Sequence, residues 1–327
     1  MKRGLFLFIV LFFFPSNQSH AQIVKVEDPY TYTSLNEDIE EINEKYHHFI
    51  QTISIGKSTL GNEILAVKIG KGERNIVFIG AHHGREWMTT NLLMMMIEQY
   101  AEAYSNKRSF GPYDTSIFNE ISIWFLPQLN PDGVMIQQGM LHQIPPIWQE
   151  YVTFLNHGLN DFSEWKANAT GIDLNRQYPA GWKKVPSPKE PGPKYYKGDQ
   201  PFQAVEIKQL VKFIENVRPE IAVSYHTTGQ VIFWKYGKDQ NIKRDFPIAK
   251  KLSDITNYPL AIPAKQAYGS GFTDWFITYY KKPGFTIEIG RMNGEKPPPI
   301  KELKNEWERN KYVGLFLAFE AKKLKKQ

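Results

Sequence analysis

Two short tracts of this 327-residue chain hold side chains of the kind that bind metal ions. His83 and Glu86 lie in Ala81-His82-His83-Gly84-Arg85-Glu86-Trp87, and His226 lies in Ser224-Tyr225-His226-Thr227-Thr228. A spacing of three lets an imidazole and a carboxylate converge on one ion at a strand-to-helix turn, although the same spacing is common on solvated helix faces. Two His and one Glu, with a fourth position left to water, make a catalytic zinc set. Standing alone, His226 reads first as a buried structural histidine. Glu288, in Phe285-Thr286-Ile287-Glu288-Ile289-Gly290, is a carboxylate among apolar neighbours. On a half-buried strand it would face solvent; on a covered strand its charge is costly unless a metal or cation offsets it, and it would suit a general base. Asn175 and Arg176 put an amide beside a guanidinium, which fits bidentate capture of a carboxylate or, more plainly, a loop salt bridge.

Residues so far apart need a framework that ends several elements at one place. The run 75–80, with Ile76-Val77-Phe78-Ile79, is apolar enough for a strand covered on both faces and is therefore central. Residues 64–69, 121–126, 220–225, 230–234 and 285–289 read as further strands. Helical spacing marks a segment opened by a Ser34/Glu37 capping box, a long helix over 86–104, and helices over 202–216, 244–256, 271–280 and 301–323. Met94, Met95 and Met96 in the long helix read as core filler. Residues 179–201 are dense in Pro, Gly and Lys, but their charged and aromatic members suit an ordered surface loop better than a linker. The alternation predicts a single α/β domain with a mostly parallel or mixed sheet, helices on both faces, and a site at the strand ends.

Composition narrows the chemistry. Hydrophobic residues at 42% and charged residues at 23% exclude a disordered or fibrous chain. With 0 cysteines there are no disulfides, thiolate zinc clusters, iron–sulfur sites or cysteine nucleophiles, so any metal falls to His, Asp or Glu. No G-x-S-x-G elbow or H-E-x-x-H helix is present, which disfavours a serine hydrolase and a thermolysin-type site. Lys2 and Arg3 before an apolar run over 5–14, and a polar stretch ending in Ser19-His20-Ala21, read as a signal peptide over 1–21. The run is too short to span a bilayer as a resident helix. Residues 22–327 are then one catalytic domain, secreted, extracellular or cell-wall associated, with no stable membrane insertion after cleavage. The net charge of +6 is mild, suiting solubility and weak attraction to an anionic wall, with no case for nucleic-acid binding.

Taken together, the tracts resemble the zinc metallocarboxypeptidase family of the carboxypeptidase A type. Its pattern is H-x-R-E, an N-P-D-G turn, a D-x-N-R segment, a third zinc histidine and a late F-T-x-E strand. His83 to Glu86, Asn130 to Gly133, Asp173 to Arg176, His226 and Glu288 match in that order. The resemblance implies a carboxypeptidase A-like domain on a mixed sheet of about eight strands. It also implies one zinc per chain on His83, Glu86 and His226, and Glu288 as general base toward the attacking water. The family steadies the oxyanion with an arginine after a tryptophan; here Lys166 follows Trp165 and supplies charge without a planar fork. Arg85 would flank the substrate path, and Asn175 and Arg176 would bind a free carboxylate on the leaving side. Thr273 and Asp274 fall where the family forms the pocket for the leaving residue. The mobile tyrosine of the animal digestive enzymes would fall at Gln266, eight residues before Asp274, and Tyr268 is the nearest phenol to take its part.

A second resemblance narrows the substrate. Trp165-Lys166-Ala167-Asn168, Gly171 to Asn175, Gln177 to Trp182 and Tyr196-Lys197-Gly198 are similar to the bacterial branch of γ-D-glutamyl-L-diamino acid peptidases, which act on cell-wall peptides. This implies a peptide or muropeptide partner bearing several carboxylates, met by Arg85, Lys166 and Arg176, and an enzyme working as a monomer. The competing enzyme is a broad extracellular metallocarboxypeptidase releasing C-terminal amino acids, which Arg176 would serve equally. A catalytically silent binding module would lack the base or a ligand, and this chain keeps all four.

Overall fold

The computed structural model describes residues 22–238, 240–262 and 268–324. The expected signal peptide, Gln266 and the last three residues lie outside them. The strands are β1 Ile50–Lys57, β2 Glu63–Ile69, β3 Arg74–Ile79, β4 Ile121–Leu126, β5 Ile221–Thr227, β6 Val231–Phe233, β7 Leu260–Ala261 and β8 Gly284–Ile289. They form one eight-stranded sheet in the order β1-β2-β4-β3-β5-β8-β6-β7. The central run β4-β3-β5-β8 is parallel, while β1-β2, β2-β4 and β8-β6 pair antiparallel. This is the expected mixed sheet. β1 and β7 went unread because β1 is half-exposed with little apolar run and β7 is two residues long.

The helices are α1 Tyr32–Lys45, α2 Met88–Ser105, α3 Pro131–Gln137, α4 Pro146–Leu155, α5 Val205–Val217, α6 Ile242–Thr256, α7 Phe272–Tyr280, α8 Leu303–Asn310 and α9 Val313–Lys323. Strand alternation decides which face each covers. Ile76 and Phe78 of β3 and Val223 and Tyr225 of β5 pack with α1, α2, α6 and α9, while Val77, Ile79 and Ala222 pack with α5 and α7. A sheet buried on both faces explains why β3, β4 and β5 read as continuous apolar runs.

Three boundaries differ from expectation. α1 starts at Tyr32 because Thr31 and Ser34 cap each other reciprocally, which places Ser34 at the third helical position instead of the cap. The N-P-D-G tract is more than a turn, since it opens α3 with Pro131 in its first turn and Asn130 as cap. The expected helix over 301–323 is broken, because the Tyr100 hydroxyl inserts at the junction, donating to the Lys311 carbonyl at 2.7 Å and accepting from Gly314 N–H at 3.2 Å. Among the described residues no helix is long and apolar enough to cross a membrane.

Candidate active site

The chemistry-bearing residues gather at the carboxyl ends of β3, β5 and β8. β3 ends at Ile79, and the chain turns through a short 3-10 segment, Gly84–Glu86, before α2 begins. Asn130 clamps this turn to its neighbour: its side-chain amide donates to the carbonyls of His82 at 3.2 Å and Ala167 at 3.1 Å. Gly84 N–H donates to the Lys166 carbonyl at 3.0 Å. The approach demands glycine, since a Cβ on Gly84 would stand 2.2 Å from the Gly133 carbonyl oxygen. The motif residues around Asn130 thus hold the ligand turn and the Lys166 segment together.

His83, Glu86 and His226 are buried and offer ligand atoms that all lie within 4.8 Å of one another. Glu86 Oε1 is 2.8 Å from His83 Nδ1, and Oε2 is 2.8 Å from His226 Nδ1. Burial opposes ionisation of Glu86, but the two imidazoles outweigh it and hold the carboxyl well below its usual range. Burial pushes His226 down, toward the neutral ring a metal needs. Burial also works on His83, but Glu86 and Asp173 raise it, and a cation at Nδ1 would displace that proton.

The outward nitrogens of both imidazoles are also engaged. His83 Nε2 donates to Asp173 Oδ1 at 3.0 Å. His226 Nε2 lies 3.0 Å from the Ser224 hydroxyl and 3.2 Å from the Asn175 amide. Asp173 stays ionised despite burial because His83 stabilises its charge. Carboxylate-to-imidazole support of this kind fixes ring orientation at metal centres. Donor set and outer partners fit one divalent zinc.

Glu288 stands directly beside His226, since the two are register partners across β5 and β8. Burial, then the charge of Glu86, pushes its carboxyl up to about 8. It borders two adjoining cavities, which also share Asn175. The larger, about 230 Å³, is lined by the metal set with Arg85, Lys166, Asp173, Arg176 and Tyr195. Lys166 Nζ is 3.9 Å from Glu86 Oε1. Arg176 lies 4.0 Å from Asp173 through Nε, a buried atom without a hydrogen-bond partner in the structure. The smaller cavity, about 80 Å³, is lined by Thr273, Asp274, Thr286, Trp234 and Lys235 among others. Thr273 and Thr286 hydroxyls bond at 2.6 Å, and Asp274 Oδ2 accepts from Gly269 N–H at 2.7 Å. Burial raises Asp274 to about 7 against the pull of the Gly269 and Gly271 amides and of Arg176.

Two predicted residues sit differently from their neighbours. Asn175 is shared, since its oxygen accepts from Phe272 N–H at 3.0 Å while its amide reaches His226. Tyr268 is outside both cavity linings; its ring packs on Tyr236 and its hydroxyl accepts from Gly237 N–H at 3.1 Å. Sequence reasoning assigned no role to Asp173, although it stood inside the D-x-N-R motif. It also passed over Ser224, Tyr195 and Glu295, the last two brought in by loops with no periodicity to mark them.

Residues 35–313 match the family described as zinc carboxypeptidase. The chain belongs to that family. It is 30% identical over 309 residues to gamma-D-glutamyl-L-diamino acid endopeptidase 1 of Lysinibacillus sphaericus, covering 91% of this chain and 74% of that one. Metallocarboxypeptidase A of Trichophyton rubrum is 31% identical over 194 residues, covering 57% of this chain and 42% of the other. Among solved structures, bovine thrombin-activatable fibrinolysis inhibitor superposes with a TM-score of 0.71 at 17% identity, covering 91% and 99%. Murein-tripeptide amidase MpaA from Escherichia coli O157 superposes with a TM-score of 0.50 at 19% identity, covering 81% and 91%.

As a member of the zinc carboxypeptidase family, the chain is a zinc metallopeptidase of carboxypeptidase A-like fold. Bound zinc supplies Lewis acidity toward a carbonyl and lowers the pKa of water. Glu288 and Lys166 line the same cavity as the three ligand candidates. Asp173 holds His83 in its ligating orientation. Asp173→Asn should weaken zinc affinity by about 10 to 100-fold, because the amide is a weaker acceptor for the Nε2 proton. Competition with a chromophoric chelator measures this, and an unchanged affinity would show that Asp173 does not orient the ligand.

Proposed function

We propose that this zinc carboxypeptidase is exported and hydrolyses the amide bond between γ-D-glutamate and meso-diaminopimelate in bacterial cell-wall peptides. The observation that carries the reading is a guanidinium and a carboxyl on either side of Asn175, the second of which an ammonium group would hold ionised. Arg176 presents a buried Nε with no hydrogen-bond partner in the structure, and Asp274 presents a carboxyl to the adjoining pocket. A diamino acid leaving group carries carboxylate and ammonium together, so it can meet both. An apolar C-terminal side chain would leave Asp274 unmatched, at a desolvation cost. The Lysinibacillus sphaericus relative is named for the γ-D-glutamyl-L-diamino acid bond, which supports the same substrate class. Lys2, Arg3, the apolar run over 5–14 and Ala21 support export, and the exported form should begin at Gln22 on N-terminal sequencing.

The zinc enzyme incubated with L-Ala-γ-D-Glu-meso-diaminopimelate should release diaminopimelate, identified by mass. Stronger release of single amino acids from hippuryl-type substrates would instead make it a broad extracellular carboxypeptidase. Amidating both diaminopimelate carboxylates strands the Arg176 guanidinium, which should cost about 2 to 5 kcal/mol, or roughly thirtyfold to several thousandfold in kcat/KM. Equal cleavage of the plain and doubly amidated tripeptides would remove the carboxylate clamp from the reading.

A further inference from the structure

Arg85 reaches across the larger cavity to Glu295, which arrives from the loop after β8. Its Nη1 donates to Glu295 Oε2 at 2.6 Å and also to the Glu295 carbonyl. The other carboxylate oxygen, Oε1, accepts from the Tyr195 hydroxyl at 2.9 Å. Lys194 Nζ stands 3.8 Å from Oε2, while bonding Glu164 at 2.7 Å. A guanidinium, a phenol and an ammonium therefore converge on one carboxylate at the cavity wall. Lys166 and Arg176 lie 5.3 and 5.9 Å from the Tyr195 ring, each also within 4.0 Å of a buried carboxylate, Glu86 and Asp173 respectively.

The two partners are unequal. Arg85 is buried, and a buried cation is costly without a counter-charge. Glu295 is half-exposed on a segment whose residues from Arg291 to Gly294 are exposed. A carboxylate on such a segment can withdraw without disturbing the core.

From this geometry we propose that Arg85 and Tyr195, which line the larger cavity, form with Lys194 a second carboxylate subsite, apart from the Asp274 pocket. Glu295 is its resident occupant and gives way to a carboxylate of the substrate. The inference rests on the cell-wall reading above and names what that reading leaves open. A γ-linkage leaves the D-glutamyl α-carboxylate free beside the scissile bond, whereas an ordinary α-linked peptide has an amide there. The cationic grip then discriminates, since an anionic substrate that displaces Glu295 gains these partners and a neutral one does not. The competition lowers apparent affinity by the fraction of sites that Glu295 holds.

The test compares the zinc enzyme and Glu295→Gln on two peptides, L-Ala-γ-D-Glu-meso-diaminopimelate and the same peptide amidated at the D-glutamyl α-carboxylate. The wild type should favour the free carboxylate by about tenfold or more in kcat/KM. Glu295→Gln should lower KM for that peptide several-fold, so that the gap between the two peptides widens. A wild-type preference for the amidated peptide, lost in Glu295→Gln, would make Glu295 an amide acceptor and overturn the subsite. Equal handling of both peptides by both proteins would also overturn it while leaving the cell-wall reading intact. Calorimetric binding of the two peptides to the Glu288→Gln protein reports the same preference without turnover. If the wild type cleaves neither peptide, the cell-wall reading falls, and the calorimetric preference alone decides the subsite.

Discussion

Glu288→Gln should retain its zinc and lose turnover by about 10²- to 10⁴-fold, because an amide of the same size cannot accept a proton. The position gives the prediction its force. Glu288 sits beside His226 in the strand register and borders both cavities, so it faces whatever is bound between the metal set and Asn175. Burial and the negative charge of Glu86 raise its carboxyl, and a zinc ion held by Glu86 would offset that charge and favour the carboxylate that accepts a proton. Gln preserves shape and removes charge, so the fold and the His83, Glu86 and His226 ligand set should survive. Zinc content and thermal unfolding serve as controls, with turnover as the readout. A variant with normal zinc and near wild-type turnover would remove Glu288 from the chemistry.

His226→Ala should abolish stoichiometric zinc binding, and turnover should fall with it. His226 closes a set otherwise drawn from a single turn, and without it His83 and Glu86 alone face the ion. The loss also strips Glu86 Oε2 of its 2.8 Å imidazole partner inside the protein and leaves it only the Thr227 N–H at 3.3 Å, at a cost of about 1 to 3 kcal/mol. Metal analysis of protein whose circular dichroism matches the wild type separates lost ligation from lost folding. Zinc remaining near one per chain would make the ligand assignment wrong.

These residues were legible in the sequence for a physical reason. His83, Glu86 and Glu288 stand in tracts where polar groups interrupt apolar strand ends, and such interruptions are costly enough to need a partner. The strands β3, β4, β5 and β8 were equally plain, since a sheet covered on both faces must be built of continuous apolar runs. What periodicity cannot reach is contact between loops. The helix broken at Lys311 depends on Tyr100, more than two hundred positions away in sequence. The expected roles of Arg85 and Tyr268 were read from single tracts, but their partners, Glu295 and Gly237, come from separate loops.

The sequence by itself determined the donor chemistry, since with 0 cysteines a metal had to fall to His, Asp or Glu, and it determined that parallel strands would end where those residues stand. The tertiary structure decided which atoms meet. It turned both imidazoles to present Nδ1 to Glu86, set Asp173 and Ser224 behind their other nitrogens, and filled the grip of Arg85 with Glu295. The difference is physical. Donor types and strand ends follow from side-chain chemistry and local periodicity, whereas orientation and pairing follow from packing between segments that no local pattern relates.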